Sequence, residues 1–110
     1  MLKYIYVLSA IMMAGVAHAE TRTVLINPGA VKTIAQPHTT GANCNSGQIR
    51  VSVTKSPKLG SIKVSDKKVK GCNGKRISFR PTSKGKDSAT IKVTYPNGSS
   101  TTIKYKLKIK

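Results

Sequence analysis

Few residues of this chain have types that do chemistry. Glu20, Asp66 and Asp87 are its carboxylates outside any leader, too scattered to set a general acid against a nucleophile or base, as glycoside cleavage requires. Asp87, in Gly85-Lys86-Asp87-Ser88, reads as a turn residue bonding its own backbone. His38 lies in the loop-like run Gln36-Pro37-His38-Thr39-Thr40-Gly41, and nothing in the pattern sets an activated serine or an oxyanion hole beside it. His38, the one histidine outside the expected leader, also falls short of a metal-ligand set. Asn73-Gly74-Lys75-Arg76 matches only the tail of a phosphate-cradling loop, without the preceding glycine spacing or a helix to follow. The expectation is a protein without enzymatic activity and without a cofactor.

Cys44 and Cys72 are the cysteines. In a small exported chain an even number reads as disulfide-forming, and two allow one intramolecular pairing. A redox-active pair would show C-x-x-C spacing beside a helix, and that pattern is absent. The expected Cys44–Cys72 bridge would contribute about 3–4 kcal/mol on the chain-entropy model.

The cations are the most informative group. The chain has 110 residues, with 20 Lys+Arg against 3 acids and a formal charge of +17. Lys104, Lys106, Lys108 and Lys110 alternate with Ile103, Tyr105, Leu107 and Ile109. In a strand that places the lysines on one face, about 7 Å apart. Lys92 joins them across a hairpin. A second group, Lys67, Lys68, Lys70, Lys75 and Arg76, surrounds Cys72. Lysines on exposed strands also prevent edge-to-edge pairing. Solubility, however, needs a net charge of only about 2–8 in a small domain, so the excess points to an anionic partner.

Residues 1–19 set where that partner would be met. Lys3, the apolar run from Ile5 to Ala14, and Ala17-His18-Ala19 before Glu20 follow the pattern of a cleaved export signal. The run is shorter than the roughly 20 apolar residues that span a bilayer. No cysteine follows the site, which excludes a lipoprotein anchor. A mature domain over residues 20–110 is expected, periplasmic or secreted, with no transmembrane segment after processing. Loss of Lys3 leaves +16 from the +17 of the whole chain.

The elements that would position these residues are strands. Ile49, Val51 and Val53, then Ile91, Val93 and Tyr95, then Ile103 to Ile109 alternate with polar residues, the signature of half-buried strands. Shorter runs at Val24–Ile26, Val31–Ile34, Ile62–Val64 and Ile77–Phe79 are separated by Gly, Pro, Asn and Ser. Six or seven short strands without a helix predict an all-β, small antiparallel two-sheet sandwich with one disulfide. At Asn97-Gly98 a two-residue turn would oppose apolar to polar residues. A three-residue or bulged loop is therefore expected, with Val93 facing Ile103, Ile91 facing Tyr105, and Lys92 opposite Lys104.

Pro57-Lys58-Leu59-Gly60-Ser61-Ile62, Phe79-Arg80-Pro81 and Gly85-Lys86-Asp87-Ser88, with Ile91, Val93 and Asn97-Gly98, are turn and strand signals of one kind. From about Val51 onward the chain resembles the bacterial immunoglobulin-like or cadherin-like β-sandwich modules of exported and surface proteins. The resemblance implies an Ig-like fold and a non-catalytic binding or structural module. The acidic ligands of calcium-binding repeats are absent, so no calcium site is expected.

These observations support an exported binding module whose Lys-rich strand and loop faces contact an anionic envelope polymer, lipid head groups or an acidic protein. Nucleic acid is disfavoured, because Phe79, Tyr95 and Tyr105 all have inward parity and leave no stacking platform. Two alternatives are an assembly subunit joined by strand addition and a small hydrolase or hydrolase inhibitor.

Overall fold

The structure is a computed structural model and describes residues 17–110. The expected export signal lies outside the described residues except for Ala17–Ala19. Seven strands follow in order: β1 (Ala17–Ile26), β2 (Lys32–Ala35), β3 (Arg50–Lys55), β4 (Gly60–Asp66), β5 (Lys75–Pro81), β6 (Gly85–Thr94) and β7 (Ser100–Ile109). They form a four-stranded sheet, β1-β7-β6-β3, and a three-stranded sheet, β2-β5-β4. The expected all-β two-sheet sandwich is therefore present, and the described residues contain no helix.

Alternation within each strand builds the core. Ile103, Tyr105, Leu107 and Ile109 are buried while Lys104, Lys106 and Lys108 are exposed. Ala89, Ile91 and Val93 of β6 lie beside them, and Ile77 and Phe79 of β5 oppose them from the other sheet. Each such large apolar side chain contributes about 1.5–3 kcal/mol on burial. Tyr95 is only half-buried, packed against the core from its rim.

One strand departs from the antiparallel expectation. β1 pairs parallel with β7, from Ala17 opposite Ser100 to Ile26 opposite Ile109. Cleavage after Ala19 would leave Glu20–Ile26 in that pairing.

The β6–β7 hairpin has the expected three-residue loop, but it is Pro96-Asn97-Gly98. The Tyr95 amide donates to the Ser99 carbonyl at 2.8 Å and the Gly98 amide to the Tyr95 carbonyl at 3.0 Å. Gly98, at φ 89°, occupies the left-handed position that such loops require. Thr94 thus opposes Ser100, Ile91 opposes Ile103 and Ala89 opposes Tyr105. The expected pairing, Val93 with Ile103, is thus offset by two residues from the observed one. Both registers keep the same side chains inward, so apolar parity could not separate them. Consequently Lys92 faces Thr102 and Lys104 faces Thr90, and the opposed like charges are Lys86 and Lys108.

Two polar side chains join distant segments. Asp87 accepts the backbone amides of Lys58 at 2.8 Å and Leu59 at 2.7 Å, besides that of Ser88 at 2.8 Å. It fastens the β3–β4 connection to β6, a wider role than the expected turn. The buried Tyr105 hydroxyl donates to the Ile34 carbonyl at 3.2 Å, linking β7 to β2 in the opposite sheet. Burial raises the Tyr105 pKa above its ordinary 10.0, with the nearby Arg22 charge opposing the rise.

Asp87→Ala should lower stability by about 1–2 kcal/mol in denaturant unfolding, and an unchanged midpoint would show that water serves those amides equally well. For Tyr105 the folded protein holds its phenolic proton more tightly than the unfolded chain does. That stabilisation is complete below the unfolded value near 10 and is lost as pH rises through the higher folded value. Tyr105→Phe should cost about 1 kcal/mol at neutral pH and flatten the alkaline decline; an identical decline in both proteins would contradict this origin.

Candidate functional site

Three connections meet at one end of the sandwich: residues 36–49 between β2 and β3, 67–74 between β4 and β5, and 95–99 between β6 and β7. Polar residues and turns dominate them, so hydrophobic burial cannot order them. They are instead bonded to one another. Cys44 and Cys72 form the expected disulfide, with Cα atoms 5.0 Å apart. Beside it the Thr39 amide donates to the Asn73 carbonyl at 2.9 Å, and the Asn73 amide to the Cys44 carbonyl at 3.2 Å. The Thr39 hydroxyl adds bonds to the Cys44 and Asn73 carbonyls.

Asn73, the buried polar residue of this end, is fully employed. Its Nδ2 donates to the Gly47 carbonyl at 2.8 Å, and its Oδ1 accepts Lys68 Nζ at 2.6 Å. Lys68 also reaches Asn45 Oδ1 at 2.6 Å. Gly47 in turn packs on Pro96 so closely that a Cβ there would lie 2.6 Å from the proline ring. The first loop is thus tied to the second by bonds and to the third by contact.

A cavity of about 330 Å³ opens between the first and third loops, bordered by His38, Thr40, Asn43, Tyr95, Asn97 and Ser99 among others. Its lining mixes polar groups with the apolar surfaces of Tyr95 and Pro96 and holds no carboxylate. His38 Nδ1 donates to the Thr39 carbonyl at 2.9 Å. No carboxylate orients the ring: Glu20 pairs with Arg22, Asp66 with Lys75, and Asp87 holds backbone amides. Ser46 and Ser99 line the cavity, but the His–acid pair that would activate either is not assembled. This arrangement is suited to shape and hydrogen-bond recognition of another molecule.

The predicted cations do not form one patch. Lys104, Lys106 and Lys108 project from the outer face of β7, with Lys92 on the neighbouring β6 and Lys110 just beyond the strand end. Around Cys72, Lys68 is committed to two asparagines and Lys75 to Asp66. Lys67 is half-buried, its amide bonded to the Gly74 carbonyl. Lys70 stands exposed in the turn with φ 51°, and Arg76 lies on the sheet beyond the loop. Thr39 and Asn73 act as tethers between loops, with partners up to 34 residues away, a role that neither residues 36–41 nor residues 73–76 announce. Their neutral side chains carried no signal of that role.

Fold and site together define a two-sheet β-sandwich that presents a cross-linked loop platform at one end. No family model and no curated protein matches the sequence. Among solved structures it is similar to amebosin, at 20% identity and a TM-score of 0.55 over 84% of this chain and 98% of that one. It is also similar to a cysteine protease inhibitor from Entamoeba histolytica, at 15% identity and a TM-score of 0.55 over 86% and 96% of the respective chains. At these identities the likeness is one of fold.

Replacing both cysteines, Cys44→Ala with Cys72→Ala, should lower stability by about 3–4 kcal/mol and accelerate amide exchange in residues 36–49 and 67–74 more than in β6 and β7. Uniform acceleration across the chain would show that the bridge supports the whole sandwich and not chiefly this end.

Proposed function

We propose that this chain is a protein inhibitor of a hydrolase of the cysteine protease class, and that it docks its loop platform against the enzyme's substrate cleft. The observation that carries the reading is the mutual locking of the first two loops by the disulfide and the Thr39, Cys44 and Asn73 bonds. Loops ordered before binding lose little freedom on docking, and protease–inhibitor interfaces are those in which the backbone moves least. The fold likeness to a cysteine protease inhibitor, extending over 96% of that chain, supports the same reading.

Inhibition here is by occupation. Both cysteines are joined to each other, so no free thiol of this chain competes with or captures an enzyme's cysteine. The platform offers the hydroxyl, amide and imidazole groups of Thr40, Asn43, Asn97 and His38, with no carboxylate bordering the cavity. Hydroxyl and amide donors and acceptors suit a cleft that holds a thiolate and an imidazolium. The exposed Lys70 and the half-buried Lys67 flank the platform and would speed encounter with an acidic cleft rim.

The test is steady-state inhibition of papain and of trypsin by residues 20–110. Reversible inhibition of papain with a constant at or below about 100 nM is expected, and trypsin should be unaffected. Thr40→Arg with Asn97→Arg, both exposed, should weaken inhibition about 100-fold while leaving Tm unchanged. Absence of inhibition of any papain-like enzyme at micromolar concentration, or full potency in the double variant, would overturn the reading.

A further inference from the structure

The outer face of the three-stranded sheet is built differently from the lysine face of the other sheet. Along β5, Arg76, Ser78 and Arg80 point outward between the buried Ile77 and Phe79. Along β4, Ser61, Lys63 and Ser65 do the same. Register sets Ser61 beside Arg80, Lys63 beside Ser78 and Ser65 beside Arg76. Every cation thus has a serine across the strand gap and another two residues along its own strand. These side chains line a shallow concavity of about 500 Å³ that extends to Val31. No acidic residue lines it.

One donor on this face lacks a partner. Arg76 Nε is buried and makes no hydrogen bond. A buried donor without an acceptor is costly, and an acceptor docked against Arg76 would relieve that cost once the side chain turned to meet it.

We propose that this face binds a linear sulfated polysaccharide, with sulfate esters seated among Arg76, Lys63, Arg80 and the adjoining serine hydroxyls. Guanidinium forks bond two oxygens at once, and a hydroxyl from the neighbouring strand supplies a third donor, which matches the three free oxygens of a tetrahedral ester. Charge balance is one to one with sulfate esters. Three sulfates bring three negative charges to three cations, whereas each phosphate monoester brings about −1.5 to −2. Arg76 and Arg80 lie about 13 Å apart along the strand, a span that suits charged groups repeated along a chain. No aromatic side chain lines the face, so it has no platform for stacking nucleobases. Its concave shape favours a strand-like polymer over a flat lipid surface.

The experiment measures binding of residues 20–110 to immobilised heparin, with hyaluronan, phosphatidylglycerol vesicles and single-stranded DNA as the other probes. Two triple variants of equal charge loss are compared: Lys63→Gln, Arg76→Gln, Arg80→Gln on this face, and Lys104→Gln, Lys106→Gln, Lys108→Gln on the other. Heparin affinity should fall about tenfold or more in the first and about threefold or less in the second, since charge-assisted contacts are lost only from the first. Because Arg76 is half-buried, the double variant Lys63→Gln, Arg80→Gln keeps the test independent of folding and should itself lose about fivefold. Equal losses in the two triple variants would reduce the effect to net charge and overturn the proposal. Tighter binding to hyaluronan, vesicles or DNA than to heparin would overturn it as well. Papain inhibition by the first triple variant should be unchanged, so this proposal and the inhibitor reading fail separately.

Discussion

A two-sheet sandwich depends on one constraint: each strand must bury one row of side chains and wet the other. In β7 this rule produces both the Ile103–Ile109 core row and the Lys104–Lys108 outer row. In β5 it buries Ile77 and Phe79 and at the same time aims Arg76, Ser78 and Arg80 outward. Core and charge are therefore not independent features of this protein. A shift of one residue in β4, β5, β6 or β7 would drive lysines or arginines inward, at a desolvation cost far above the worth of any single apolar contact. The high cation content thus enforces register as strongly as the apolar residues do.

Alternation stops where the strands stop, and the loop end needs a different source of order. There the disulfide and the buried Asn73 replace the core. The bridge limits how far residues 36–49 and 67–74 can separate, and Asn73 then satisfies a carbonyl, an amide and Lys68 in one place. The two devices reinforce each other, because the disulfide shortens the loops that the neighbouring hydrogen bonds must close and so lowers their entropic cost. A platform ordered in this way has few apolar side chains of its own, which leaves its surface free for neutral polar contacts.

This division explains what could be read from the residues. Strand positions, two sheets and the pairing of Cys44 with Cys72 follow from period and count. The direction of β1 does not, because alternation is the same whether a neighbour runs parallel or antiparallel. The β6–β7 register escaped for a related reason: two registers differing by two residues bury the same set, and Pro96 at the start of the loop decided between them. Asp87 looked like a local turn residue because its Lys58 and Leu59 partners are distant in sequence. Lys63 and Arg80 belong to neither cation group of the sequence, yet the serine–cation alternation of residues 61–65 and 76–80 is legible when strand parity is applied to cations as well as to apolar residues.

The proposed surfaces occupy different parts of the molecule, and that placement bears on why so much charge is retained. The platform sits at the loop end, while Lys63, Arg76 and Arg80 lie on a sheet face, where occupation need not cover His38, Thr40 or Asn97. An inhibitor held on a sulfated polymer by its side would keep its end free and its local concentration high. The two contacts would also respond differently to salt. Ion pairing on the sheet face would weaken as ionic strength rises, whereas hydrogen-bond and packing contacts at the loop-end cavity would be little screened. A uniformly basic protein with one binding mode would lose all its contacts together. Separation of the sheet-face cations from the loop-end cavity would let one contact be released while the other is held, and the positions of the three acids, each already bonded elsewhere, leave both surfaces without internal competition.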